Sequence, residues 1–448
     1  MRRRWKLILG GLVVLAVIGA CLAVLRGWEP ITRVASWFEG TRPTVRLGLL
    51  HSQTGTLAIS EKSLLDAEVL AIEEVNAAGG VSGRQIVWSA PDCRSDPEVF
   101  ASEARRLIDQ EKVAALFGAW TSECRKAILP VLDERSSLLF FPGNFEGIEK
   151  SPRVVYVGGI ANQSVLPAVR WAFDSLKARR YFVVGLEEVW SRCSAEIAKD
   201  GVKAAGAETV GENFQVGSSF NPDSAIEAIR QAKPDVVLNF VYGGANLEFY
   251  SAIRRAGLTP EKVPIIAFGF SEDESRRFVP SDVAGQYAAW NYFQSSTRPE
   301  SREFVRKFRA RFGEDRLVGD AMVAAYNGIK FWAQAAREVG VSDVSAVITN
   351  LTQQSMDAPD GIVTIDADSR AVWRPFHLGR LRADGQFEIV WSILKPIRPV
   401  PFVGTRSAEQ WRGLLESLHT RWKGRWSAGA SAASTQSRPS PGSNFSEQ

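Results

Sequence analysis

Between residues 45 and 268, short apolar runs alternate with stretches of helical period. Val45–His51, Gln85–Ala90, Val113–Phe117, Leu138–Phe141 and Val154–Val157 read as buried strands. Helices are predicted between them over Glu61–Ala78, Pro97–Gln110 and Thr121–Glu134. Ser60 and Asp96 are the predicted N-caps, and Gly79-Gly80 stops the first helix. The pattern then restarts, with helices predicted over Ser164–Ala178, Ser191–Ala204, Pro222–Ala232 and Asn246–Ala256. Strands are predicted at Phe182–Gly185, Thr209–Gln215, Val236–Phe240 and Ile265–Phe268. Such alternation requires mostly parallel sheets covered by helices on both faces. Two runs in series predict an α/β chain of two lobes. Further on, helices are read over Glu300–Phe312 and Asp320–Glu338, and strands over Gly361–Ile365, Trp373–Leu381 and Phe387–Trp391. Asp384-Gly385 marks the turn between the last two strands.

The two ends differ from this body. Residues 1–26 hold a basic cluster followed by Leu7–Leu25, nineteen residues without a charge. About 20 apolar residues span a bilayer, and the flanking arginines keep the first residues in the cytoplasm. A membrane anchor, a lipoprotein signal ending at Cys21 and a cleaved signal peptide all fit, and each places the body outside the cytoplasm. The net charge is +4, with +5 before residue 27 and +3 after residue 403, which leaves −4 for the body. A mildly acidic body excludes a nucleic-acid partner. At the other end, 404–426 carries Trp411, Leu414, Leu415, Leu418 and Trp422 at helical spacing. An amphipathic helix that docks on the body is expected there. Residues 427–448 are rich in Ser, Ala and Pro and read as a disordered tail.

Ligands of open parallel sheets bind in loops beyond the carboxyl ends of the strands. Those loops are 51–56, 118–122, 142–146, 186–190, 242–246 and 269–272, and they supply hydroxyls, aromatic rings and a few carboxylates. They contain no nucleophile paired with a histidine, no phosphate-binding glycine motif and no metal-ligand spacing. Cys93, Cys124 and Cys193 are scattered, and His51, His377 and His419 are too dispersed for a metal site. No catalytic set, metal or cofactor is expected.

Several stretches are similar to a known family. They include Leu50-His51-Ser52-Gln53-Thr54-Gly55-Thr56, Ala71–Gly80, Trp120-Thr121-Ser122, Ala161-Asn162-Gln163, Ala288–Phe293 and Asp357–Gly361. In these the chain, over roughly 42–400, resembles the urea- and short-chain-amide-binding proteins of the branched-chain amino-acid-binding type. The resemblance implies a two-lobed periplasmic-binding-protein type I fold that closes like a flytrap. Lobe 1 would be 42–160 with a returning segment of about 296–350. Lobe 2 would be 161–290 with a returning segment of about 351–400, crossover strands joining the two. It also implies ligand contacts. Trp120 and Ser122 fall where the family sets a ring and a hydroxyl against the amide. Phe141 and Phe145 replace two tyrosines of a family loop, and Glu188 stands where an aromatic is expected, with Trp190 retained nearby. The candidate ligand-binding residues are Ser52, Thr54, Trp120, Thr121, Ser122, Phe141, Asn144, Glu188, Trp190, Tyr242 and Ser271.

The implied function is a tethered extracytoplasmic solute-binding protein of an ABC importer. It would take urea, a short-chain amide or a related small polar ligand, with permease subunits in the membrane as partners. A membrane-tethered amide sensor is the alternative. With the spanning anchor taken first, Cys21→Ser is expected to leave the chain in the membrane pellet after fractionation. Release or failed processing would identify the lipidated form.

Overall fold

The computed structural model describes residues 43–429, apart from 276 and 342. The segment 1–26, expected to be an anchor or export signal, and nearly all of the tail lie outside the described residues. In lobe 1 the elements are β1 (Thr44–Leu50), α1 (Ala58–Ala77), β2 (Gln85–Ser89), α2 (Pro97–Asp109), β3 (Leu116–Gly118), α3 (Ser122–Arg135), β4 (Leu139–Phe141) and β5 (Val154–Tyr156). The five strands form a parallel sheet in the order β2-β1-β3-β4-β5. Its strands are apolar on both faces because helices cover both faces. Leu47 and Leu49 turn to one core, and Leu50 and Leu116 to the other.

Lobe 2 repeats the plan with α4 (Ala161–Ser175), β6 (Arg180–Leu186), α5 (Val189–Ala204), β7 (Glu208–Gln215), α6 (Pro222–Ala232), β8 (Val236–Phe240), α7 (Gly244–Arg255), β9 (Ile265–Ala267) and β10 (Tyr287–Trp290). Two single-turn helices, α8 (Glu272–Ser275) and α9 (Pro280–Val283), lie between β9 and β10. The chain then returns through α10 (Pro299–Phe312), α11 (Asp320–Val339) and α12 (Val344–Leu351), followed by β11 (Ser355–Ala358), β12 (Gly361–Ile365), β13 (Val372–Leu381) and β14 (Phe387–Ile397). The segment 351–400 divides between the lobes. Ala358, Val363 and Ile365 of β11 and β12 pack into the core under α11, on lobe 1. β13 pairs antiparallel with β10, and β14 with β13, extending the lobe 2 sheet.

Three crossings join the lobes, and one side chain ties them together. Asn291, fully buried after β10, donates through Nδ2 to the carbonyl of Gln163 at 3.3 Å and to that of Pro375 at 2.6 Å. Gln163 lies beyond the first crossing, Asn291 is on the second and Pro375 on the third, within β13. Gln163 in turn donates to the carbonyls of Val372 and Ile397, each at 2.8 Å. A few residues away, the buried Arg374 spans Asp320 of α11, at 2.7 and 3.0 Å, and Asp360 at 2.9 Å. The guanidinium is thus held on both sides by carboxylates, as a buried cation requires.

Several boundaries differ from the sequence reading for physical reasons. α1 begins at Ala58, and Ser60 is not its cap. The Ser60 hydroxyl donates instead to Glu274 on lobe 2 at 2.5 Å. α5 begins at Val189 because the Glu188 side chain caps it, accepting from the Trp190 and Ser191 N–H groups. Asp96 caps α2 as read, accepting from Glu98 N–H at 2.9 Å. β10, β11 and α12 were not read from the sequence, being short and flanked by polar residues.

Residues 404–426 form α13 (Ala408–Arg421), started by Ser407. Trp411, Leu415, Leu418 and Trp422 are buried in the lobe 2 core beside α4 and α5. Trp411 Nε1 donates to the Val403 carbonyl at 2.8 Å. Trp411→Ala is expected to destabilise the protein by about 3–5 kcal/mol through the cavity it leaves. The thermal unfolding midpoint measures it, and an unchanged midpoint contradicts the docked placement.

Candidate functional site

The carboxyl ends of both sheets point into the space between the lobes. Trp120, Thr121 and Ser122 follow β3, and Asn144 follows β4. From lobe 2 come Glu188 and Trp190 after β6, Tyr242 after β8, Phe268 and Gly269 after β9, and Trp290 at the end of β10. These ten residues line one cavity. Its volume is about 20 Å³, measured by the centres of water-sized spheres, against the roughly 10–15 Å³ that one water needs. The space between lobes held this close is small.

A strained turn delivers Trp120 to the cavity. Gly118 has φ 113° and Ala119 has φ 57°. A Cβ on Gly118 would fall 2.2 Å from the Leu50 carbonyl oxygen, so only glycine fits. The Trp120 N–H then donates to the buried Glu61 at 3.2 Å. Its ring meets Tyr242 of the other lobe edge-on, with centroids 5.3 Å apart, and Trp190 meets Tyr242 at 5.8 Å. Trp290 adds a ring face only, since its Nε1 donates to the Phe270 carbonyl at 2.7 Å.

Three polar groups define the chemistry of the cavity. Glu188 is nearly fully buried, and burial pushes its carboxyl up to about 8. It therefore carries its proton at neutral pH. Asn144 donates through Nδ2 to the Phe268 carbonyl at 3.4 Å, whereas its buried Oδ1 has no hydrogen-bond partner among the described residues. A buried acceptor left unmade costs about 1–3 kcal/mol, and this one lies beside Gly159, next to the hinge carboxamide of Asn291. Ser122 is already engaged: its hydroxyl donates to Glu146 and accepts from Arg125 at 2.8 Å. Among the described residues lining the cavity there is no lysine, arginine or histidine.

Of the residues expected to contact ligand, Trp120, Thr121, Ser122, Asn144, Glu188, Trp190 and Tyr242 come together here. Four others lie elsewhere. Ser52 accepts from Ser95 N–H at 2.8 Å and Thr54 donates to Asp92 at 2.6 Å, so both hold the loop beyond β1 against the end of β2. Phe141 is in the core under the Arg125 guanidinium, 4.7 Å from its ring centroid. Ser271 donates to Asp273 at 2.9 Å. Phe268, Gly269 and Trp290 were not among the expected contacts. Their place at strand ends is the available signal.

Residues 45–408 match the model of the periplasmic binding protein domain. The chain belongs to the periplasmic binding protein family. This family member is 24% identical over 344 residues to Leu/Ile/Val-binding protein homolog 7 of Brucella melitensis, covering 72% of this chain and 86% of that one. The fold is similar to that of an ABC-transporter solute-binding protein from R. palustris solved with benzoate. The TM-score is 0.73 at 19% identity, covering 80% of this chain and 99% of the other. A 142-residue stretch is 31% identical to limonene hydroxylase of Geobacillus stearothermophilus, but takes in only 30% of this chain and 26% of that protein. None of these three is named for urea or an amide. Membership of a periplasmic binding protein family implies a location outside the cytoplasm. No described helix is long and apolar enough to cross a membrane.

The raised carboxyl of Glu188 has a stability consequence. A group bound to its proton more tightly when folded stabilises below its unfolded value, 4.5, and loses that contribution as pH rises through about 8. Glu188→Gln is therefore expected to gain thermal stability relative to the parent as pH rises from about 5 to about 8. Parallel melting curves across that range would show that Glu188 is already ionised in the fold.

Proposed function

We propose that this periplasmic binding protein is the solute-binding component of an ABC importer and takes a small, planar, N–H-rich ligand of the urea and short-chain amide class. The observation that carries this reading is a small cavity between the lobes, lined by aromatic rings and by the buried Glu188 and lacking any cation among the described residues. Aromatic walls cover the faces of a flat molecule. A ligand carboxylate would meet Glu188 with no cation beside it, which disfavours the acid ligands of the relatives. Protonated Glu188 can donate to an amide carbonyl without leaving a net charge buried.

Glu188 also supports a second reading, a cationic amidine or guanidine, which its ionised form would pair with. Titration calorimetry of urea, acetamide and acetamidine against pH separates the two. A neutral amide needs the proton on Glu188, so its affinity is expected to stay flat below about pH 8 and fall about tenfold per unit above it. A cation must displace that proton, so its affinity would rise with pH up to the same point. Trp120→Ala is expected to weaken binding by about 2–4 kcal/mol, since it removes a wall and opens a void. No heat from any of the three compounds at any pH overturns the ligand class.

A further inference from the structure

Beyond α13 the chain does not leave the body. Lys423 and Gly424 adopt positive φ, 56° and 80°, and reverse its direction. Trp426 settles against His419, with ring centroids 4.4 Å apart. The next residues run antiparallel to the segment around Glu188. Val189 N–H donates to the Trp426 carbonyl at 3.0 Å, and Ala428 N–H donates to the Glu187 carbonyl at 2.8 Å. Glu188 and Ser427 face each other as a bridge pair. The backbone of 426–428 thus belongs to lobe 2.

Its side chains reach lobe 1. The Ser427 hydroxyl donates to Glu123 Oε1 at 2.6 Å, and the Lys126 ammonium lies 4.5 Å from the Trp426 ring centroid. Glu123 and Lys126 are in the first turns of α3, the helix whose opening residues Thr121 and Ser122 line the cavity. Lys126 is further held by Glu149 at 2.8 Å, and Arg425 is the cation nearest to Glu123 on the strap itself.

We infer that Trp426–Ala428 is a positioning strap for the binding site: it clamps the backbone on both sides of Glu188 and fastens it to α3 of the opposite lobe. The inference rests on the reading of the cavity as a cleft that closes, not on the identity of the ligand. The strap backbone rides on lobe 2, so the Ser427–Glu123 and Trp426–Lys126 contacts exist only while the lobes are together. They therefore add to the closed state. They also place the Glu188 carboxyl relative to the α3 N-terminus, which no contact within lobe 2 alone does.

Fluorescence energy transfer in the full chain tests this without any ligand. One dye replaces the exposed Lys112 on lobe 1 and its partner the exposed Lys233 on lobe 2. Ser427→Ala and Trp426→Ala are each expected to lower the closed-to-open ratio by about two- to tenfold, the range for one lost hydrogen bond or cation–π contact. Ser427→Thr keeps the hydroxyl and should hold the ratio near that of the parent. A chain ending at Arg425 should match the variant carrying both Trp426→Ala and Ser427→Ala while keeping the helical circular dichroism of the parent. A double variant with the parent's ratio, or a parent with no closed fraction, overturns the strap. Failure of urea and its analogues to bind would leave this result standing.

Discussion

The three crossings between the lobes meet at one side chain. Asn291 binds carbonyls near the other two crossings, so three segments far apart in sequence meet at one carboxamide. Gly159 shows how tight this point is: a Cβ there would fall 2.1 Å from Asn291 Oδ1 and 3.1 Å from Asn144 Oδ1. The same glycine therefore lets the hinge carboxamide and Asn144 of the cavity wall approach each other. The Arg374 pair with Asp320 and Asp360 then locks the third crossing to lobe 1, where removing one partner would strand a buried charge at a cost of about 3–5 kcal/mol.

From this point outward the molecule is built in mirrored halves that meet at their strand ends. Lobe 1 offers a hydroxyl and backbone groups at a helix start, and lobe 2 offers a carboxyl at another. The cavity holds its polar groups on opposite walls, with rings between them. Ser122 shows the cost of such an arrangement. Its hydroxyl is committed to Glu146 and Arg125, so it braces the wall more than it faces the cavity.

The strands and most helices were legible because their signals are local. The run Val236–Phe240 is apolar but for Asn239 and buried end to end. Pro222 opens a helix in the sequence and in the fold. Where the reading missed, the deciding partner lay far along the chain. Ser60 resembles an N-cap until Glu274, 214 residues away, takes its proton. Ser52 and Thr54 resemble ligand hydroxyls until Ser95 and Asp92 engage them. Glu188 was noticed as an oddity in a family loop, but its capping role was hidden because Glu is an uncommon N-cap. Ser427 was read as the start of a disordered tail from its composition, which carries no trace of the backbone it pairs with.

The double duty of Glu188 narrows the routes by which this cleft can change its ligand over evolutionary time. Its oxygens complete α5, so a replacement that abandons the cap weakens lobe 2 by about 0.5–2 kcal/mol before any new ligand is gained. Asp, Asn, Ser and Thr keep a capping oxygen but draw it back from the cavity, which enlarges the space and removes its acid. An aromatic side chain keeps the space filled and leaves two N–H groups pointing at whatever is bound. Drift at this one position thus passes through either a larger neutral pocket or one that attracts an acceptor, and ligand preference is inherited together with the stability of the lobe.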